Sequence, residues 1–347
     1  MVGLRQRRSS PIARAFVQSL FDQAQSRCEQ GPSRQLGIFD NKIAVHFSRA
    51  DEISDLIANA FNLSAPSGAQ TTTNLYVVRL SGDGIAFPDF EWAREWIEAC
   101  EPIPTAVTSP YRVFFDRNQG VIYCYDEFNH SAVIVLRSAQ EIDSRSLITP
   151  FRLLWSWIAS AQSVSIVHAG AIALGERGIL LAGPSGSGKS TLSFGVATSS
   201  SGLFAADDCV AVSTTRAHAV YSRVKLASDT KTEIMGSTVH RVPDHLPEAH
   251  QAKPYLQITG NEHWFLRGVE LAAIVFPVIA GQTGHYRLEA RQAQRMLTKD
   301  SQRELFGGSP RDTIRLAKLA GALPAYRLLL GDNLGTNIRA LEDIVGR

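Results

Sequence analysis

The chain has 347 residues, enough for two domains. Its 35 basic and 33 acidic side chains leave a formal charge of +2, so no strong field favours nucleic acid or a membrane surface. There is no run of about 18 apolar residues that would span a membrane. The longest apolar stretch, "LAAIVFPVIAG" from Leu271, has the length of a strand. Four scattered cysteines (Cys28, Cys100, Cys124, Cys209) form no C-x-x-C pair, and the opening residues do not read as a secretory signal. Free thiols in a reducing cytoplasm are therefore expected. The 9 histidines form no H-E-x-x-H pair, which argues against a dedicated zinc site.

Residues Ser10 to Glu29 read as a helix with Ile12, Phe16, Leu20 and Phe21 on its apolar side. Leu36 to Phe47 reads as two short strands around a turn at Asp40-Asn41. "ADEISDLIANAF" is helical, with Asp51 near its start, and "NLYVVRL" is a strand. Tyr111 to Arg137 reads as three antiparallel strands with turns at Asn118–Gly120 and Asn129-His130. A helix, "PFRLLWSWIASAQ", follows. The spacing places a domain boundary between residues 140 and 165, giving a mixed α/β domain over 1–150 and a second domain over 151–347. The fold class expected is α/β (α+β).

In the second domain, "SIVHAGAIAL" and "RGILLAG" are joined by Gly175-Glu176-Arg177-Gly178 and read as a hairpin. A four-residue turn puts Leu174 near Ile179 and His168 level with about Gly183–Ser185. The strand entering the next loop is then antiparallel to its predecessor, unlike a doubly wound nucleotide-binding entry. Later segments read as a strand "AHAVYS", a helix over "SDTKTEIMG", strands "KPYLQI" and "ELAAIVFPV", helices around Arg291–Leu297 and Asp312–Leu319, a strand "AYRLLL" and a terminal helix.

The chemistry is concentrated after the hairpin. Gly183, Pro184, Ser185, Gly186, Ser187, Gly188, Lys189 and Ser190 read G-x-x-x-x-G-K-S, and Thr191 follows. An apolar strand precedes this run and a helix opens at Lys189, the context a phosphate-binding loop requires. Its glycines turn backbone N–H groups toward phosphate oxygens, Lys189 reaches the β- and γ-phosphates, and Ser190 offers a hydroxyl to Mg²⁺. Asp207 and Asp208 close an apolar approach 18 residues after Lys189. One acid for a metal and one as a base is the functional reading. Neighbouring strand residues point to opposite faces, so both can serve one site only where the strand ends or bends. No N-K-x-D guanine signature and no L-S-G-G-Q run is present.

"VHAGAIALGERGILLAGPSGSGKSTL" followed by "AADDCVAV" resembles the catalytic domain of the HPr kinase/phosphorylase family. The similarity is specific over about Ile166–Val212. It implies a phosphate-loop kinase core like that of phosphoenolpyruvate carboxykinase, with ATP held by Gly183–Thr191 and Mg²⁺ by Ser190 and Asp208. Asp207 would be the base for the acceptor hydroxyl, oriented by His168. Either division of roles between the two aspartates is open on the sequence alone. Where the family's HPr-recognising members carry a glycine-rich signature, "YSRVKLASDTKTEIMG" stands, offering Arg223, Lys225 and Glu233 as active-site contacts. In detail the chain looks most like HPr-kinase-like proteins that phosphorylate a peptide serine, among them lasso-peptide tailoring kinases. The expected function is an ATP-dependent serine kinase acting on a peptide or protein, with the first domain presenting the acceptor. A kinase of a small metabolite and a nucleotide-binding regulator without transferase activity are the alternatives. Neither nucleic acid nor membrane is an expected partner, and a homo-oligomer is compatible with this reading.

Overall fold

Ser10 followed by Pro11 opens α1 (Pro11–Cys28) in the computed structural model. The Ser10 hydroxyl accepts the Ala13 N–H, and proline at the first helical position gives up no hydrogen bond. The structure describes residues 10–38, 41–61, 71–86, 91–137, 144–199, 202–226, 233–234, 237–246, 249–259, 262–304 and 310–346. Among these, no helix is long and apolar enough to cross a membrane. The four cysteines are unpaired thiols. The fold is mixed α/β, and contacts divide it into two compact units. One contains 1–59, 64–154 and 242–252; the other contains 60–63, 155–241 and 253–347.

In the first unit, α1 is followed by β1 (Ser33–Ile38), β2 (Asn41–Phe47), α2 (Glu52–Asn59), β3 (Thr71–Arg79), a single turn α3 (Leu80–Asp83), α4 (Arg94–Ala99) and α5 (Thr105–Thr108). Then come β4 (Tyr111–Asp116), β5 (Val121–Asp126), β6 (Ser131–Leu136) and α6 (Ser144–Ile148). Its sheet has the order β1-β2-β3-β6-β5-β4, with β2, β3 and β6 parallel and the other pairs antiparallel. The buried stripe of α1 runs Ala13, Phe16, Val17, Leu20, Phe21, Ala24 and Cys28. Ile12, expected on that side, falls one position before the stripe begins and is exposed.

α7 (Arg152–Ala161) carries the division between the units. The second unit contains β7 (Ser165–Val167), β8 (Ala169–Leu174), β9 (Arg177–Ala182), α8 (Lys189–Thr198), β10 (Gly202–Ala206), β11 (Val210–Ser213) and β12 (Arg216–Ala219). They are followed by β13 (Arg223–Lys225), β14 (Glu233–Ile234), β15 (Ser237–His240), β16 (Tyr255–Gln257), β17 (Gly268–Gly281) and β18 (Gly284–Leu288). The chain continues through α9 (Ala290–Glu304), α10 (Pro310–Ala322), β19 (Ala325–Gly331) and α11 (Leu334–Val345). The main sheet runs β10-β8-β9-β17-β12-β11-β7, with β19 also paired to β17 and to β18. The strands alternate between two cores. Ile172, Leu174, Ile179 and Leu181 pack with α8 and α11; Ala171, Ala173, Leu180 and Ala182 share a core with α9 and α10. Burial on both faces explains why these strands read as unbroken apolar runs.

Three sequence expectations change. The hairpin turn is Gly175-Glu176, because Leu174 pairs with Arg177 rather than lying near Ile179. Gly175 takes φ 60° at the first central position, the pattern of a type II′ turn, so only two residues are needed. Ser165–Leu174 is two strands and not one: β7 pairs with β11 and β8 with β9, with the break at His168. Of the helix expected over "SDTKTEIMG", Glu233-Ile234 instead pair as a strand with β15, and residues 227–232 lie outside the described set.

Phe61 belongs to the second unit despite its early position. It stands edge-on to Trp155 at 4.8 Å and against Tyr221 at 5.2 Å, and all three are buried. A cut near residue 150 therefore removes a core side chain from the second unit. Phe61→Ala is expected to cost about 3–5 kcal/mol. An unchanged midpoint in thermal unfolding would show that Phe61 is not a core residue of that unit.

Candidate active site

β9 lies parallel to β17, and β17 lies parallel to β19, so three strands end on the same side. Ligands of open α/β sheets gather at such carboxyl ends. Here β9 gives way to Gly183–Gly188, and Lys189 opens α8. Gly183, Gly186 and Gly188 have φ of 147°, 80° and 96°, which L side chains rarely adopt. A Cβ at Gly188 would lie 2.4 Å from Leu330 Cδ1 of β19, whereas one at Gly186 would meet nothing within 4 Å. The loop is thus tight against the sheet at one end and open at its crest, where Pro184, Ser185 and Gly186 are exposed.

The Lys189 ammonium donates to the carbonyls of Gly183 at 2.6 Å and Pro184 at 2.9 Å, bracing the loop from inside. Ser190 and Thr191 are exposed at the first turn of α8. The Ser190 hydroxyl donates to Asp207 Oδ1 at 2.9 Å. Asp207 Oδ2 is buried and has no hydrogen-bond partner among the described residues, as do Ser187 Oγ and His168 Nε2. Such orphaned atoms are uncommon in native interiors and point to a missing polar partner. Burial pushes the Asp207 carboxyl up from its ordinary value, and the charge of Asp208 adds to this; the Ser190 hydroxyl, Lys225 and Lys189 pull the other way.

β10 ends at Ala206, and the next residues turn. Asp208 has φ 64°, and the Cys209 N–H donates to the Asp207 carbonyl at 2.7 Å. This left-handed residue breaks the strand alternation, as two acids in one site require. Asp208 is gripped from two sides. His168 Nδ1 lies 3.2 Å from its Oδ1 and 3.1 Å from its carbonyl, and Lys225 Nζ lies 2.6 Å from its Oδ2. The break between β7 and β8 is what delivers His168 to this turn.

The pairing differs from the one the resemblance implied. His168 touches Asp208 and not Asp207, and the Ser190 hydroxyl bonds Asp207 and not Asp208. Of the three charged candidates beyond the aspartates, Lys225 contacts the paired acids directly, through Asp208. Arg223 is buried, donates to Gln257 Oε1 at 3.2 Å and lies 4.6 Å above the Tyr255 ring; burial lowers its pKa. Glu233 lies on β14, and its side chain is outside the described set.

Sequence reasoning missed the clamp at the carboxyl ends of β17 and β19. The buried Asn337 side chain accepts the Gly331 N–H at 3.0 Å, donates to the Gly331 carbonyl at 2.9 Å and receives the Thr283 hydroxyl at 2.6 Å. It ties the ends of β17 and β19 together beside the glycine loop. An asparagine on an otherwise apolar helix face was the available signal.

No protein-family model matches the chain, and no curated protein matches it.

Proposed function

We propose that the chain is an ATP-dependent kinase with an HPr-kinase-like phosphate-loop core, transferring the γ-phosphoryl group to a serine or similar hydroxyl of a peptide or protein. One observation carries this: the Ser190–Asp207 hydrogen bond at the mouth of the glycine loop, with a second carboxylate, Asp208, on the same turn. A nucleotide-binding regulator needs one metal carboxylate. A kinase needs a second acid to take the acceptor's proton.

The residues fit Mg²⁺, which takes oxygen donors and commonly one or two carboxylates, completing its shell with phosphate and water. Ser190 Oγ and the unpartnered Asp207 Oδ2 are such donors. When bound, the ion would neutralise charge on the phosphates. Asp207 is assigned to that role, reversing the division first expected. Asp208 accepts the hydroxyl proton as the acceptor oxygen bonds to the γ-phosphorus and the bond to the β-phosphate oxygen breaks, leaving ADP. His168 fixes the Asp208 carboxylate, and Lys225 holds its other oxygen. Lys189 exchanges its loop carbonyls for phosphate oxygens. A serine-bearing peptide in the cytoplasm is the acceptor this reading favours.

The test is γ-phosphate transfer from Mg·ATP to serine-containing peptides and to small hydroxylated metabolites. Transfer only to metabolites would redirect the reading to a small-molecule kinase. Tight Mg·ATP binding with no transfer to any hydroxyl would leave the regulator. His168→Ala should slow transfer at least tenfold while nucleotide affinity stays within a few-fold, since it acts through Asp208. If the folded fraction of this variant is fully active, His168 is a packing residue.

A further inference from the structure

The first unit has its own charged cluster, at the carboxyl ends of β2 and β3. These strands are parallel neighbours, and the chain leaves them toward opposite faces of the sheet. After β2 it enters α2, whose Ile57 lines a cavity with Val121, Tyr123 and Leu136. After β3 it passes through α3 to Ile85, Ala93 and Ile103, which share a core with α1 and with Val133 and Val135 on the other face. Such a divergence opens a crevice outside the strand ends, the usual place for ligands in this architecture.

Three arginines gather at these strand ends. Arg49 follows β2, Arg79 closes β3, and Arg27 comes from the last turn of α1. The turn Ser81-Gly82-Asp83-Gly84 has φ of 93° at Gly82 and 62° at Gly84. A Cβ on Gly82 would lie 2.2 Å from Arg49 Nη2, and one on Gly84 would lie 3.2 Å from Arg27 Nη2. The two glycines thus leave room for two guanidinium groups over one turn. Asp83 accepts from Arg49 Nε at 2.6 Å and from the Arg79 backbone N–H at 2.7 Å; Asp51 accepts from Arg79 Nη2 at 2.6 Å. Asp83 and Asp51 thus pair with Arg49 and Arg79. The Arg79 side chain is 6% exposed, yet its Nη1 has no hydrogen-bond partner among the described residues. Arg27 and the Nη groups of Arg49 likewise make no hydrogen bond among them.

We propose that this crevice binds an oxyanion, a phosphate monoester or a carboxylate, held by Arg27 and Arg49 with Arg79 behind them. Paired guanidinium N–H groups match the two-oxygen face of either anion. A buried arginine N–H with no acceptor is costly as it stands, and a bound anion supplies an acceptor for Nη1. The proposal does not depend on the kinase reading.

The test is the thermal midpoint of the full chain in inorganic phosphate, and in glutamate, against chloride at equal ionic strength. The glycine loop can also take phosphate, so the measurement is repeated in Lys189→Ala. Phosphate or glutamate is expected to raise the midpoint in both proteins. Arg27→Gln and Arg49→Lys should each weaken the apparent affinity about tenfold or more, as for loss of a charged hydrogen bond. Arg49→Lys keeps a cation for Asp83, and Arg27 makes no hydrogen bond among the described residues, so both variants should fold. A response to phosphate alone identifies a phosphate monoester, and a response to glutamate alone a carboxylate. No rise above chloride, an equal rise in the arginine variants, or complete loss in Lys189→Ala would each overturn the proposal.

Discussion

Lys189→Ala is expected to lower the rate of phosphoryl transfer by about 10²–10³-fold, the usual worth of one preorganised charge on the reacting group. Nucleotide affinity should fall with it, because the same ammonium meets the phosphates before and during transfer. A structural effect must be separated from this. Lys189 also braces the loop through the carbonyls of Gly183 and Pro184, and its removal leaves the helix start less constrained. Lys189→Arg keeps the charge and can still reach a carbonyl, but carries a planar fork where a compact ammonium was. If both variants melt as the parent does and only Lys189→Ala loses Mg·ATP in titration, the charge is responsible. If Lys189→Ala binds and turns over ATP normally, Gly183–Ser190 is a glycine turn and nothing more.

The two aspartates should separate cleanly. Asp207→Asn retains the shape that receives the Ser190 hydroxyl but loses the anionic oxygen left unpartnered in the interior. Metal-dependent nucleotide affinity should drop roughly 10–100-fold, the range found when even a supporting group of a metal site is lost. Binding measured with EDTA should hardly change. Asp208→Asn should leave Mg·ATP affinity within a few-fold and lower the transfer rate by about 10²–10⁴, the contribution of a positioned base. Its fold should survive, since asparagine also tolerates the left-handed conformation found at φ 64°. Titrations with and without Mg²⁺, beside transfer rates, decide the matter. Exchanged phenotypes would restore the division the resemblance implied, and two silent variants would sink the kinase mechanism.

Much of the scaffold was legible because local chemistry wrote it. Ser10-Pro11 marks the start of α1, Asp51 caps α2 through the Ser54 N–H at 2.9 Å, and the three strands between Tyr111 and Leu136 pair as their turns indicate. Pro277 was harder to read. A proline in a strand usually marks an edge, yet β17 is central and 14 residues long. The conflict resolves in register. Pairing with β9 ends at Val275, where β9 leaves for the glycine loop, so Pro277 needs no partner on that side and pairs only with β19.

The glycine loop, the lysine and serine that follow it, and the two acids at the end of a strand could be read from the chain alone. Each depends on residues close in the chain: glycines for positive φ, an apolar strand before, a helix after. Which acid faces which partner depends instead on how distant segments pack. The choice turns on the left-handed bend at Asp208, on the break at His168 between strands of different pairing, and on Lys225 arriving from β13. The arginine crevice was equally hidden. Arg27, Arg49 and Arg79 are far apart in sequence and meet only because β2 and β3 run parallel while their following segments diverge. Side chains brought together by strand order and by register leave no local pattern, because the physical cause of their meeting is the packing of elements and not the order of neighbouring residues.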